Sequence, residues 1–201
     1  MTLLATAGES IMLASCATLI ALPLAFATGW SAAAPGSFAT ACRRALRFLA
    51  SLPIALIGLV SFTAAPFLPT ELAVLAALAI GAYAPIAVAV SVARTGQGLR
   101  PERDALALGL SRRAVMLGVV LPVLRAPVSA AVLRTLGRLV GETGLFLLIA
   151  IAPGAMPSTL GASVLHGALR GDRVLPSLLV LMLVPVALAL FAERVERRGR
   201  A

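Results

Sequence analysis

The chain has 201 residues, of which 60% are hydrophobic and only 12% charged, and its mean hydropathy is +1.02. Soluble domains carry about a quarter charged residues, so this composition excludes one and points to an integral membrane protein. All 17 basic residues are arginine, which excludes P-loop ATP hydrolysis and Schiff-base catalysis within this chain, since both need a lysine.

A membrane-crossing helix needs roughly 20 apolar residues, and charge-free runs mark five candidates. They cover about residues 9–29, 48–69, 72–93, 123–151 and 174–192, which predicts an all-α membrane protein forming a single domain over 1–201. The first run has no basic residue before it, unlike a signal peptide, and reads as a retained helix. Residues 30–42, WSAAAPGSFATAC, read as a loop of small residues around a Pro-Gly turn. Cys42 falls in that loop and Cys16 in the first span, so a disulfide between them is not expected.

Arginines set the orientation. Arg43, Arg44 and Arg47 follow the first span, Arg94 to Arg125 separate the third from the fourth, and Arg194 to Arg200 follow the fifth. These segments are cytoplasmic by the positive-inside rule, which puts the N-terminus outside and the C-terminus inside. The same rule accounts for the net charge of +9 without nucleic acid. His166 and the charges Arg170, Asp172 and Arg173 fall in the longest outside segment. His166 reads either as a pH-sensitive group or as an ordinary surface histidine.

The segment 94–122 is too long for a tight turn. ERDALALGL (102–110) has the strong formers of a short helix, which Gly109 terminates, and Ser111 is placed to cap the next one. The fourth span then carries charge: Arg134, Arg138 and Glu142. From Pro122 a rise of 1.5 Å per residue puts them about 18, 24 and 30 Å along the helix. Their spacing of four predicts one shared face, with Arg138 and Glu142 as a pair and Arg134 unbalanced. Each such charge costs roughly 2.5–3.5 kcal/mol at mid-membrane. The stripe therefore meets an aqueous path, an anion or a partner helix. Gly137, Gly141 and Gly144 lie beside it and permit close helix approach.

Gly109, followed after nine residues by Val119-Val120-Leu121-Pro122, resembles the EAA loop of bacterial ABC importer permeases. Ala105 matches that pattern's second alanine, while Arg103 and Asp104 stand where it has an acid and an alanine. The resemblance implies a coupling helix within 94–122 that docks on an ATPase, with Arg103, Asp104, Ala105, Gly109, Leu121 and Pro122 as coupling residues. GRLVGETGLFLL (137–148) and LASLPIALIGLVSF (49–62) are similar to segments of the phosphate importer permeases. That likeness implies half of a transmembrane pathway for an inorganic oxyanion, phosphate first, with Arg134, Arg138 and Glu142 along it. Permeases for molybdate, tungstate or sulfate are similar too, and a scaffold subunit without its own path is the alternative from another class. The implied setting is a bacterial inner membrane, with an ATPase dimer that binds ATP and Mg, a second permease subunit and a solute-binding protein as partners. No cofactor or metal is expected in this chain, whose lone histidine and two cysteines build no zinc site.

Overall fold

The computed structural model of the chain describes residues 3–64, 69–142, 164, 167–170 and 174–199. Among the described residues the architecture is helical throughout, without strands. α1 (Leu3–Ala32) is followed by α2 (Ser37–Ser51), α3 (Ile54–Ala64) and α4 (Thr70–Ala93). A wide π turn, Arg94–Gly98, leads into α5 (Leu99–Ala107). α6 (Arg112–Val115) runs through a second π turn, Met116–Val120, into α7 (Leu121–Val140). α8 (Leu175–Arg198) completes the described fold. Among the described residues four helical stretches are long and apolar enough to cross a membrane, and counting the bent pair α2–α3 as one span makes five.

α1 and α4 are apolar around their whole circumference, as expected of helices with protein on one side and lipid on the other. They pack through small residues. Ala14, Ala17, Ala21 and Ala25 of α1, and Ala73, Ala77, Ala84 and Ala87 of α4, are buried. These positions recur at helical spacing, so each set forms one stripe. Short side chains let the two backbones approach, and close contact holds helices together where lipid removes the hydrophobic drive. Gly29 marks the tightest point: a Cβ there would collide with the Ala87 carbonyl and lie 2.9 Å from Val90 Cβ.

The first loop is shorter than the sequence suggests. Trp30 still belongs to α1 and α2 begins at Ser37, so Arg43, Arg44 and Arg47 ride on a helix and not in a loop. Gly36, at φ 135°, makes the reversal possible where a side chain would be strained. α2 is amphipathic, burying Ala39 and Leu46, and Arg43 bonds back to the end of α1, donating from Nη1 to the Ala32 carbonyl at 2.9 Å.

The second span is broken. α2 and α3 meet at 97° across Leu52 and Pro53. Proline lacks an N–H and drives the preceding residue out of the helical region, and Leu52 stands at φ −69°, ψ 137°. Arg43, Leu46 and Arg47 lie beside Val88, Ser91 and Val92 near the end of α4, whereas Ile54 packs on Gly81 in its middle. α2 therefore climbs along α4, and the break falls at mid-depth.

Candidate functional site

α5 stands on the arginine-rich end of the molecule. Its inner side is held by Ala105, which joins Ala93, Val115, Val120 and Leu124 in a small core. Its outer side presents Arg103 and Asp104, and Leu108 beyond its end is 83% exposed. The expected start at Glu102 is extended backwards to Leu99, because the preceding π turn continues straight from α4 into α5. Its end falls where sequence placed it. Gly109 adopts φ 81°, its N–H reaches the Leu106 carbonyl at 3.0 Å and the Leu110 N–H reaches Ala105 at 3.3 Å. That is the two-bond glycine cap which satisfies a helix's last carbonyls. Ser111 Oγ accepts from the Ala114 N–H at 3.3 Å and starts the next helix. Leu121 is half-buried and Pro122 exposed at the foot of α7.

Arg94, read from sequence only as a topology marker, is the organising residue of this end. Its Nη1 donates to the Trp30 carbonyl at 2.9 Å, and its Nη2 lies 3.2 Å from both carboxylate oxygens of Glu102. The guanidinium carbon sits 3.6 Å from the centre of the Trp30 ring, which stacks on Phe26 at 5.9 Å. Arg94 thus ties α1, the end of α4 and α5 together. Nothing in the spacing of Trp30, Arg94 and Glu102 marks them as partners. Only the presence of a tryptophan and an arginine at the ends of two adjacent spans hints at it.

The charges of the fourth span are arranged differently from the expected stripe. Arg134 is not unbalanced: its Nη2 bonds Glu196 Oε2 of α8 at 2.5 Å. Side chains on a helix lean toward its N-terminus, so Arg134 reaches back toward the arginine-rich end, where α8 finishes. At 50% and 26% exposure this pair behaves as a surface ion pair. Arg138 faces the break in the second span. Its Nη1 donates to the Ala50 carbonyl at 3.1 Å and its Nη2 to the Leu52 carbonyl at 2.7 Å. These carbonyls lose their helical donors at Pro53, and the negative end of the α2 dipole favours a cation there. Glu142 departs from the stripe as well, because α7 ends at Val140 and Glu142 follows the Gly141 cap.

Gly137 and Gly141 lie on α8. A Cβ on Gly137 would be 3.2 Å from Pro185 Cα, and one on Gly141 3.3 Å from Pro185 Cγ. Gly144, with Thr143, His166, Asp172 and Arg173, lies outside the described residues. Among the described residues no cluster of His, Cys, Asp and Glu is placed to hold a metal.

No family model matches the chain, and no curated protein is similar to it. Among solved structures, a chain of an amino acid ABC transporter determined with histidines is similar, with a TM-score of 0.71 at 13% identity. The likeness covers 98% of this chain and 93% of that one. At that identity the shared property is the fold: this chain has the helical architecture of that transporter's chain.

Proposed function

We propose that this chain is the permease subunit of an ATP-driven importer and forms half of its transmembrane pathway. One observation carries the reading. A short helix stands between two long apolar spans on the arginine-rich side, anchored by Ala105 and exposing Arg103, Asp104 and Leu108. That helix offers an ATPase a rigid handle, with Gly109 fixing its end and Leu121 and Pro122 its connection to α7. An ATPase dimer, binding ATP and Mg, would move it. A second permease subunit would complete the path and a solute-binding protein would deliver cargo from outside. Exposed apolar side chains such as Leu19, Ile20, Leu183 and Phe191 suit lipid or that second subunit. The setting is a bacterial inner membrane.

The cargo follows from two supports that point apart. The Gly-Arg-x-x-Gly-Glu-Thr segment supports an oxyanion, phosphate first, with molybdate, tungstate and sulfate as close alternatives. The second reading is an amino acid. It is favoured by the similar solved transporter, and by Arg134 and Arg138 already holding Glu196 and two carbonyls. In both readings the cargo carries an anionic group, and Arg134 and Arg138 of α7, with Glu142 just beyond its end, lie along its route.

The chain co-purified with its ATPase and reconstituted in vesicles tests this. ATP-dependent uptake of labelled phosphate, molybdate or sulfate supports the first reading, and of labelled amino acids the second. A chain that binds no ATPase and supports no uptake is a scaffold, and the importer reading fails.

A further inference from the structure

We propose that Arg94 is a positioning residue that makes α1 move together with α5, so that a displacement of the docking helix reaches the first membrane span directly. This rests on the importer reading above and adds to it a defined path for the movement.

α5 is otherwise fastened at few points. It is nine residues long, entered through the π turn Arg94–Gly98 and closed by the Gly109 cap, with a second π turn, Met116–Val120, beyond α6. Wide turns of this kind interrupt the regular α-helical hydrogen-bond ladder and are frequent at functional sites. Behind α5 lies an open cavity of about 610 Å³ lined by Arg94, Glu102, Leu106, Arg112 and Val115. α5 therefore does not lean on α6 and α7 along its full length. Ala105 packs into the small core, and the other described tie is Glu102 to Arg94.

Arg94 does not end at Glu102. The same guanidinium holds the Trp30 carbonyl and lies flat on the Trp30 ring. With side-chain exposures of 13% for Arg94 and 21% for Glu102, the contact is shielded from water, which strengthens it relative to a surface pair. Trp30 is near the C-terminal end of α1, where the helix dipole favours a cation, and its carbonyl accepts from Arg94 besides the Ala33 N–H at 3.2 Å. One planar group thus makes three contacts in three directions: a carboxylate on α5, a carbonyl on α1 and an indole face on α1. A lysine ammonium has neither the fork nor the flat face to make all three. Arg43 holds the next part of the same end, through the Ala32 carbonyl, so the end of α1 is tied to α2 as well. A push on α5 accordingly arrives at α1 and, through Arg43, at the lower half of the broken span.

The test uses the full chain in complex with its ATPase, in nanodiscs, with Cys16 and Cys42 replaced by serine. Spin labels on Ala107→Cys and Ala27→Cys, both exposed, report the α5–α1 distance, and labels on Ala107→Cys and Leu190→Cys report α5 against α8. The probe is ATP, Mg and vanadate, so no cargo is required. In the otherwise unaltered chain, trapping shifts the α5–α8 distance and leaves α5–α1 unchanged. In Arg94→Lys and Glu102→Gln, the complex assembles, but trapping now shifts α5–α1. Uptake per hydrolysed ATP falls roughly 5- to 150-fold, the span of ordinary coupling energies. The exchange Arg94→Glu with Glu102→Arg restores an ion pair but not the bond to the Trp30 carbonyl, and stays uncoupled.

An unchanged α5–α1 distance with normal uptake in both single variants overturns the proposal. Full rescue by the charge exchange also overturns it, since the α1 limb would then be dispensable. Variants that no longer bind the ATPase, at normal chain levels, reduce Arg94 to a fastener and overturn it too. If the unaltered chain itself binds no ATPase, the importer reading has failed and the inference falls with it.

Discussion

Arg138 shows how a charge inside a membrane span can be explained without cargo. The break at Pro53 strips donors from the last carbonyls of α2, and the guanidinium supplies two, at 3.1 and 2.7 Å. A hydrogen bond to a charged group contributes about 1.5–3 kcal/mol. Arg138→Ala should therefore lower the unfolding free energy of the detergent-solubilised chain by at least that amount. Arg138→Lys, with no planar fork, should fall between alanine and arginine. Thermal and denaturant unfolding monitored by tryptophan fluorescence measures this, using Trp30, the single tryptophan. Loss of uptake with unchanged stability in both variants would instead assign Arg138 to the cargo route alone. By contrast Arg134→Gln should cost under about 1 kcal/mol, because the half-exposed pair with Glu196 is of the weak kind. Sequence placed both arginines in the fourth span but did not show where they point. Their partners are 62 and 86 to 88 positions away, and no local spacing encodes such a contact.

Helix ends were legible where one residue decides them, and illegible where packing does. Gly109 and Ser111 punctuate the segment between α5 and α6 through φ and a hydroxyl, both local properties. Residues 37–51 look like the edge of a loop because arginines interrupt them, yet they form a helix whose polar side faces away from Ala39 and Leu46. The apolar run 48–69 looks like one span, since hydropathy does not register the geometric effect of Pro53. Glycine contacts give the sharpest test of the helix packing. Gly29→Ala puts a methyl group into the Ala87 carbonyl, and the α1–α4 contact must open. Overpacking of this kind costs about 1–3 kcal/mol. Gly118→Ala meets nothing within 4 Å and should be neutral or stabilising by up to about 1 kcal/mol. Gly109→Val is strained by its positive φ and should cost about 1–2 kcal/mol. Unfolding midpoints of the three variants, measured side by side, should rank Gly118→Ala above both of the others.

The assembled molecule gathers its charge at one end. Arg43 of α2 meets the end of α1, Arg94 at the end of α4 meets α1 and α5, and Arg134 of α7 meets the end of α8, so parts of six helices are joined by arginines. Thirteen arginines lie in the segments read as cytoplasmic, against Arg170 and Arg173 on the other side. Such an imbalance in short loops fixes the insertion direction, and under the proposed function it determines whether an ATPase can reach α5 at all. Leu108, 83% exposed beside α5, and Leu169, 71% exposed in the opposite segment, report the two sides. Each is changed to cysteine in a chain lacking Cys16 and Cys42 and treated with a membrane-impermeant maleimide. Leu108→Cys should react in inverted vesicles and stay unlabelled in intact spheroplasts, and Leu169→Cys should do the reverse. The opposite pattern would put α5 outside the cell, away from ATP. The fold would stand, but the docking role of Arg103, Asp104 and Leu108 would be lost, and with it the coupling through Arg94.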